Sequence, residues 1–256
     1  MKNLFSVSLA VGLAVMACSP ALGAPKVTKQ TVVGRWLRVQ APTGNVAIEP
    51  PLRKANPGDR LSKVGDQLIT GKDASAELWI DDGIGSLEVG ESTTVLILRL
   101  ERLRNGAKRT QFAIKGGTVK LRLRTLRNPK SNVQIFTPAG TAAVRGTIFG
   151  VSLNGKGISG VATLKGSVVV TGQGQKLPVR AGFARVLVPG KPPSKLRGLA
   201  ETARIFDIHY QHLESGQVLL RANTDPGNLV QVDGQPIDID EQGNFQTLVS
   251  NVQEHL

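Results

Sequence analysis

Thr137-Pro138-Ala139-Gly140-Thr141-Ala142-Ala143-Val144-Arg145-Gly146-Thr147-Ile148-Phe149-Gly150-Val151-Ser152-Leu153, with Lys165-Gly166-Ser167-Val168-Val169-Val170 further on, alternates strand chemistry with turn chemistry. Val144, Ile148, Val151 and Leu153 are strand formers, and Gly140, Gly146 and Gly150 interrupt them where a bulge or a close backbone approach is expected. Arg145 is the odd residue. A guanidinium between Val144 and Ile148-Phe149 is costly if buried without a partner. The expectation is therefore a structural clamp at Arg145, Gly146 and Thr147, with the guanidinium tying neighbouring strands; the competing reading is a cation that faces a ligand.

The same chemistry extends upstream. Ala55-Asn56-Pro57-Gly58-Asp59-Arg60-Leu61, Val64-Gly65-Asp66-Gln67-Leu68-Ile69-Thr70-Gly71, and the run from Ala74 to Ile80 followed by Asp81-Asp82-Gly83 each join a Gly- or Asp-rich turn to a short apolar run. The chain has only 10 aromatic residues in 256, against 29 glycines and 14 prolines. That composition favours many short strands over a helical bundle, so the fold class is all-β.

The TP turn, the A-V-R-G-T-x-F segment and the later G-x-V-x-V segment resemble the core of the FecR domain, and the G-D-x-L, G-D-x-x-x-T-G and A-x-L-x-x-D-D-G progression before them is similar to that family as well. The resemblance covers residues 32–190. It implies a twisted β-solenoid or roll-like domain in an exported protein. It also implies signalling, because FecR-like proteins in iron uptake relay an outer-membrane signal to a sigma factor through a cytoplasmic helical segment and a membrane span. This chain departs from that plan at its N-terminus.

Lys2 precedes a 14-residue, largely apolar stretch, Leu4 to Ala17, followed by small residues around Ser19 to Ala24. This is the layout of a secretory signal peptide, too short for the ~20 residues of a spanning helix. Two cleavage modes compete. Cutting near residues 23 and 24 makes 1–24 the leader and releases a soluble protein. Val15-Met16-Ala17-Cys18 instead reads as a lipobox, which makes 1–17 the leader and Cys18 a lipid anchor. The expected location is the periplasm or the cell surface. If Cys18 leaves with the leader, the mature chain has no cysteine, and disulfides and thiol chemistry are excluded. No later run is apolar enough for a transmembrane span, so direct contact with a sigma factor is not expected.

Charge is uneven along the chain. Net charge is +13, but residues 1–200 hold 30 Lys and Arg against 10 Asp and Glu, while 201–256 hold 2 against 9. Within Thr118-Val119-Lys120-Leu121-Arg122-Leu123-Arg124 the pattern alternates strictly. Strand geometry puts Val119, Leu121 and Leu123 on a core face and Lys120, Arg122 and Arg124 in a row on the other. Such a row attracts polyanions, which for an exported protein means acidic polysaccharide or anionic lipid head groups. Nucleic acid is disfavoured because aromatic residues for base stacking do not interleave the basic ones. Solvation of the sheet, or docking of the acidic tail on the basic row, are the alternatives.

After Lys191-Pro192-Pro193, the residues Leu196, Leu199, Ala203, Phe206, Tyr210 and Leu213 recur at three- and four-residue steps, which predicts an amphipathic linker helix over 194–215. On that helix His209 and His212 share a face, an incomplete set for a metal. Residues 217–256 read as short strands joined by Asn223 to Gly227, Asp233-Gly234 and Asp240 to Asn244, a segment that resembles part of a bacterial immunoglobulin-like (Ig-like) repeat. Asp238, Asp240 and Gly243 lack a glutamate at the twelfth position of a calcium loop, so a turn is expected there. No His, Cys and carboxylate constellation assembles a catalyst, a cofactor site or a metal site. The function that follows is a non-catalytic exported module that binds an envelope protein or an anionic envelope polymer; the alternative is a periplasmic component of a cell-surface signalling relay without direct sigma-factor contact.

Overall fold

A computed structural model describes residues 34–81, 83–199, 204–232 and 235–249. The leader and Cys18 lie outside them. The described chain is all-β and moves back and forth between two nine-stranded sheets. It starts in sheet one with β1 (Leu37–Thr43), crosses to sheet two for β2 (Val46–Glu49) and β3 (Arg53–Lys54), and returns for β4 (Arg60–Leu61). Sheet two takes β5 (Gln67–Thr70), sheet one β6 (Ser75–Ile80) and β7 (Gly85–Val89), and sheet two β8 (Thr94–Arg102) and β9 (Lys108–Ile114). Then β10 (Gly117–Leu123) joins sheet one, β11 (Asn132–Thr137) and β12 (Gly140–Val144) sheet two, and β13 (Ile148–Leu153) and β14 (Ser159–Lys165) sheet one. Sheet two closes with β15 (Ser167–Gly172) and β16 (Gln175–Arg180), and sheet one with β17 (Phe183–Leu187) and β18 (Arg197–Gly198).

Sheet one runs β4-β1-β6-β7-β10-β13-β14-β17-β18 and sheet two β3-β2-β5-β8-β9-β11-β12-β15-β16, so both grow in chain order from β6 and β5 onward. Neighbours are antiparallel except β9 and β11, which are parallel because the chain leaves sheet two for β10 between them. A parallel pair needs a crossover. Here that crossover is itself a strand of the other sheet.

One apolar core holds the sheets together. Leu78, Leu87, Leu121, Phe149 and Val161 come from sheet one and Ile97, Phe112, Ile135, Val168 and Val170 from sheet two, all buried in a single cluster. Strict in-and-out alternation along β10, β13 and β15 is what a sheet with one covered face requires. Each fully buried Leu or Phe contributes about 1.5–3 kcal/mol relative to exposure.

The Arg145 segment is not inside a strand. β12 ends at Val144, β13 begins at Ile148, and Arg145-Gly146-Thr147 carry the chain from one sheet to the other. Gly146 is required there by close approach, since a Cβ would lie 2.6 Å from the Thr125 Cα. The run from Leu177 to Val188 makes a similar crossing, with β16 in sheet two and β17 in sheet one.

The linker helix expected over 194–215 is corrected on the described residues, with 200–203 lying outside them. Arg197–Gly198 is β18, and Ile205–His212 is a strand, β19, paired with β20 (Val218–Thr224). Ile205, Phe206, Ile208 and Tyr210 combine β-branched and aromatic side chains that suit a pleated surface, and the pairing with β20 overrides the coincidental helical spacing. The tail continues as a hairpin of β21 (Val230–Val232) and β22 (Gln235–Ile237), and then β23 (Asn244–Val249). β19, β20 and β23 form a three-stranded antiparallel sheet with its own small core of Ala222, Val230, Ile239 and Phe245.

Candidate functional site

The outer face of sheet one carries the site, and its floor is built by register. Pairing aligns Gln40, Glu77, Glu88, Lys120, Gly150, Ala162, Ala184 and Arg197 in one row across eight strands. Directly paired residues share a face. Three consecutive small residues, Gly150, Ala162 and Ala184, therefore leave a trough between Lys120 and Arg197. With strands ~4.8 Å apart, the four steps from β10 to β18 make it ~19 Å wide. The result is a groove of about 810 Å³ with a largely apolar lining.

Ion pairs stand at both margins. Arg122 Nε donates to Glu88 Oε1 at 2.7 Å, and Lys120 Nζ lies 3.5 Å from Glu88 Oε2. Partial burial works to raise the Glu88 carboxyl, but the Arg122 hydrogen bond and the Lys120 charge outweigh it and hold it below its ordinary value. At the other margin Arg197 Nη1 donates to Asp225 Oδ2 at 2.7 Å, with the Asp225 carboxylate buried and the arginine half-exposed.

Asp225 belongs to the tail, which docks on this face. Ser152 Oγ donates to the Gly227 carbonyl, and a Cβ on Gly160 would lie 2.6 Å from that same oxygen, so the two backbones meet without side chains between them. Asn154 Nδ2 donates to the Ile239 carbonyl at 3.3 Å, Gln231 Nε2 to Glu91 Oε1 at 2.5 Å, and Lys191 pairs with Glu241. The acidic tail thus pairs with Lys191 and Arg197, while Lys120 and Arg122 pair with Glu88.

The alternation read from the sequence places Val119, Leu121 and Leu123 in the core and Lys120, Arg122 and Arg124 on the outer face. The three cations do not form one open stripe. Lys120 and Arg122 share Glu88, while Arg124 is exposed and lines a smaller pocket of about 440 Å³ with Arg122 and Trp79.

Arg145 is exposed rather than buried between strands, and the tie at that point is made by its backbone carbonyl, which accepts from Leu126 N–H at 2.7 Å. Thr147 is buried, and its carbonyl accepts from Leu123 N–H at 2.9 Å. The buried arginine of this fold is Arg35, 2% exposed. Its Nε donates to Asp81 at 3.1 Å, its Nη1 to the carbonyls of Glu101 and Arg109 at 3.0 and 2.9 Å, and its Nη2 to Thr110 Oγ1 at 2.9 Å. Lys108 adds a second cation on Asp81 at 2.8 Å. Burial pulls the Arg35 guanidinium below its usual range, and the Asp81 charge opposes that pull. The sequence signal is only a lone arginine just before a strand run, and its partners lie 46 to 75 residues away.

Two arginine and tryptophan stacks also escaped sequence reading. Arg38 sits 5.5 Å from the Trp79 ring centre and Arg60 4.6 Å from that of Trp36, both at the β1 end of sheet one.

His209 and His212 pair with Arg221 and Val218, and their odd spacing in a strand puts them on opposite faces. Among the described residues no group of three His, Cys, Asp or Glu could hold a metal ion. Asp240 makes the expected turn, accepting from the N–H of Gln242 and of Asn244 at 2.9 and 2.8 Å. No helix of the described residues is long and apolar enough to cross a membrane.

This two-sheet core, from β5 to β15, is where a family comparison finds its match. Residues 66–169 match the FecR protein family. The match lies within the span of 32–190 that the motifs outline. No curated protein matches. Two crystal structures, at 1.65 and 2.50 Å resolution, of a "putative anti-sigma factor" from Parabacteroides distasonis align with a TM-score of 0.42 and 11% identity. The alignment covers 52% of this chain and 59% of the solved one.

Proposed function

We propose that this chain is an exported, non-catalytic FecR-like module that binds a partner protein through the outer face of sheet one, within a cell-surface signalling relay. The observation that carries this reading is the groove over Gly150, Ala162 and Ala184, bounded by Lys120 with Glu88 on one side and Arg197 with Asp225 on the other. The ~19 Å between the Lys120 and Arg197 strands leaves room for a helix of ~10 Å diameter between their side chains, and a floor of small residues lets a partner backbone approach closely. The FecR match supports the signalling context. The leader at residues 1–24, or 1–17 with a lipid on Cys18, supports a periplasmic or cell-surface location. Strands added in chain order to two facing sheets support a roll-like coil, and the antiparallel tail sheet supports an Ig-like partial repeat.

Binding of an anionic polysaccharide or lipid head group is the second reading, favoured by the Lys120, Arg122 and Arg124 face and weakened by Glu88, which neutralises part of it. Retention of the purified protein on isolated cell envelope separates the two. Ala162→Trp, which fills the groove, is expected to abolish retention at low and high salt alike. If Ala162→Trp binds normally while charge reversal at Lys120, Arg122 and Arg124 or added salt removes retention, the polyanion reading replaces the groove.

A further inference from the structure

β19 is exposed along its whole length, with Ile205, Phe206, Ile208 and Tyr210 each between 48 and 60% accessible. It pairs with β20 on one side only and forms an edge of the tail sheet. Asp207 adopts φ 51°, and the register jumps there, from Phe206 opposite Asn223 to His209 opposite Arg221. This bulge confines regular edge geometry to the stretch from Ile208 to His212. Leu213 N–H donates to the Gln217 carbonyl at 2.9 Å. Main-chain groups alternate in direction along an antiparallel pair, so those of Gln211 and His209 point to β20. Those of Tyr210 and His212 point away from it.

An outward row of main-chain donors and acceptors beside apolar side chains is a template for another strand. We propose that the added strand is β19 of a second copy of this chain, paired antiparallel about a two-fold axis through Tyr210, so that two three-stranded sheets become one of six strands. The pairing is self-complementary. Tyr210 faces Tyr210 of the second copy, Ile208 faces His212, and His209 faces Gln211, so no carboxylate meets a carboxylate and no lysine or arginine meets another. Asp207 is the only carboxylate in the strand, and its bulge lies at the border of the paired stretch. The tail sheet gains most from such a partner, because three strands over a core of four buried apolar residues are near the lower limit of independent stability. This surface is separate from the groove on sheet one, and neither depends on the other.

Sedimentation equilibrium of the purified protein from low to high micromolar concentration tests the proposal. The mass is expected to rise from that of one chain to that of two. Tyr210→Pro removes an outward N–H without touching the β19–β20 ladder, and it is expected to give a monomer throughout with the far-UV circular dichroism of the wild type. Tyr210→Lys places two cations face to face at the axis, is expected to give the same monomer, and serves should the proline variant unfold. A wild-type protein that stays monomeric over the whole range, or a dimer that survives Tyr210→Lys, overturns the proposal, whatever foreign strand the edge accepts.

Discussion

Replacing Arg35 by alanine removes the guanidinium that joins the start of sheet one to β8 and β9 of sheet two. Four partners lose it together: the Asp81 carboxylate, the carbonyls of Glu101 and Arg109, and the Thr110 hydroxyl. Breaking a buried ion pair by removing one member costs about 3–5 kcal/mol, chiefly because the other charge stays buried. Lys108 remains 2.8 Å from Asp81 and still compensates that carboxylate, so about 3 kcal/mol is expected. For a chain of this size each kcal/mol lowers the melting midpoint by about 2–4 °C, giving a fall on the order of 10 °C. Thermal unfolding followed by circular dichroism reads this directly, with Arg145→Ala as the companion variant. The exposed Arg145 is expected to change stability by less than about 0.5 kcal/mol. A double-mutant cycle of Arg35→Ala with Asp81→Asn is expected to show a coupling of about 1–3 kcal/mol. If Arg145→Ala destabilises the protein as much as Arg35→Ala does, the assignment of the clamp to Arg35 is wrong.

Three further outcomes are expected. Gly146→Ala would set a Cβ against the Thr125 backbone and cost about 1–3 kcal/mol in urea unfolding; a neutral variant would refute the close approach between the two crossings. Arg197→Ala removes the cation that pairs with the buried Asp225, to which the Gly227 N–H still donates at 3.0 Å. That loss is expected to weaken tail docking by about 1–3 kcal/mol, read as faster amide exchange at 225–228 with β13 unaffected. Glu88 sits below its ordinary value of 4.5, so its small contribution to stability is present above that value and is lost as the pH falls through the lower folded-state value. Carboxyl titration by NMR should show Arg122→Ala moving Glu88 back upward, and an unchanged Glu88 titration would sink the pairing.

Local pattern carried much of the fold, and topology carried the rest. The basic strand was legible because period two is a backbone property: Val119, Leu121 and Leu123 had to share a face whatever the strand paired with. From Leu196 to Leu213 apolar residues at three- and four-residue steps fit a helix, but Ile205 to Tyr210 fit a strand equally well once β20 offers hydrogen bonds. Ala181-Gly182 is turn chemistry in either case. It does not reveal whether the chain folds back in plane or crosses to the facing sheet, and it crosses. Arg145 has apolar neighbours in sequence, yet it sits in a crossing and is exposed. The role of Arg35 is not legible locally, because its partners are brought together only by the closure of two sheets. The groove was least legible of all, since Gly150, Ala162 and Ala184 become one floor only through the registers of β13, β14 and β17.

The central claim is that the Gly150, Ala162 and Ala184 trough is a protein-binding surface, and site-specific photo-cross-linking in living cells tests it most directly. A photoreactive residue at Ala162 is expected to give a discrete protein adduct, while one at Val169, exposed on the outer face of sheet two, gives none. No adduct at Ala162, or the same adducts from both positions, would contradict it.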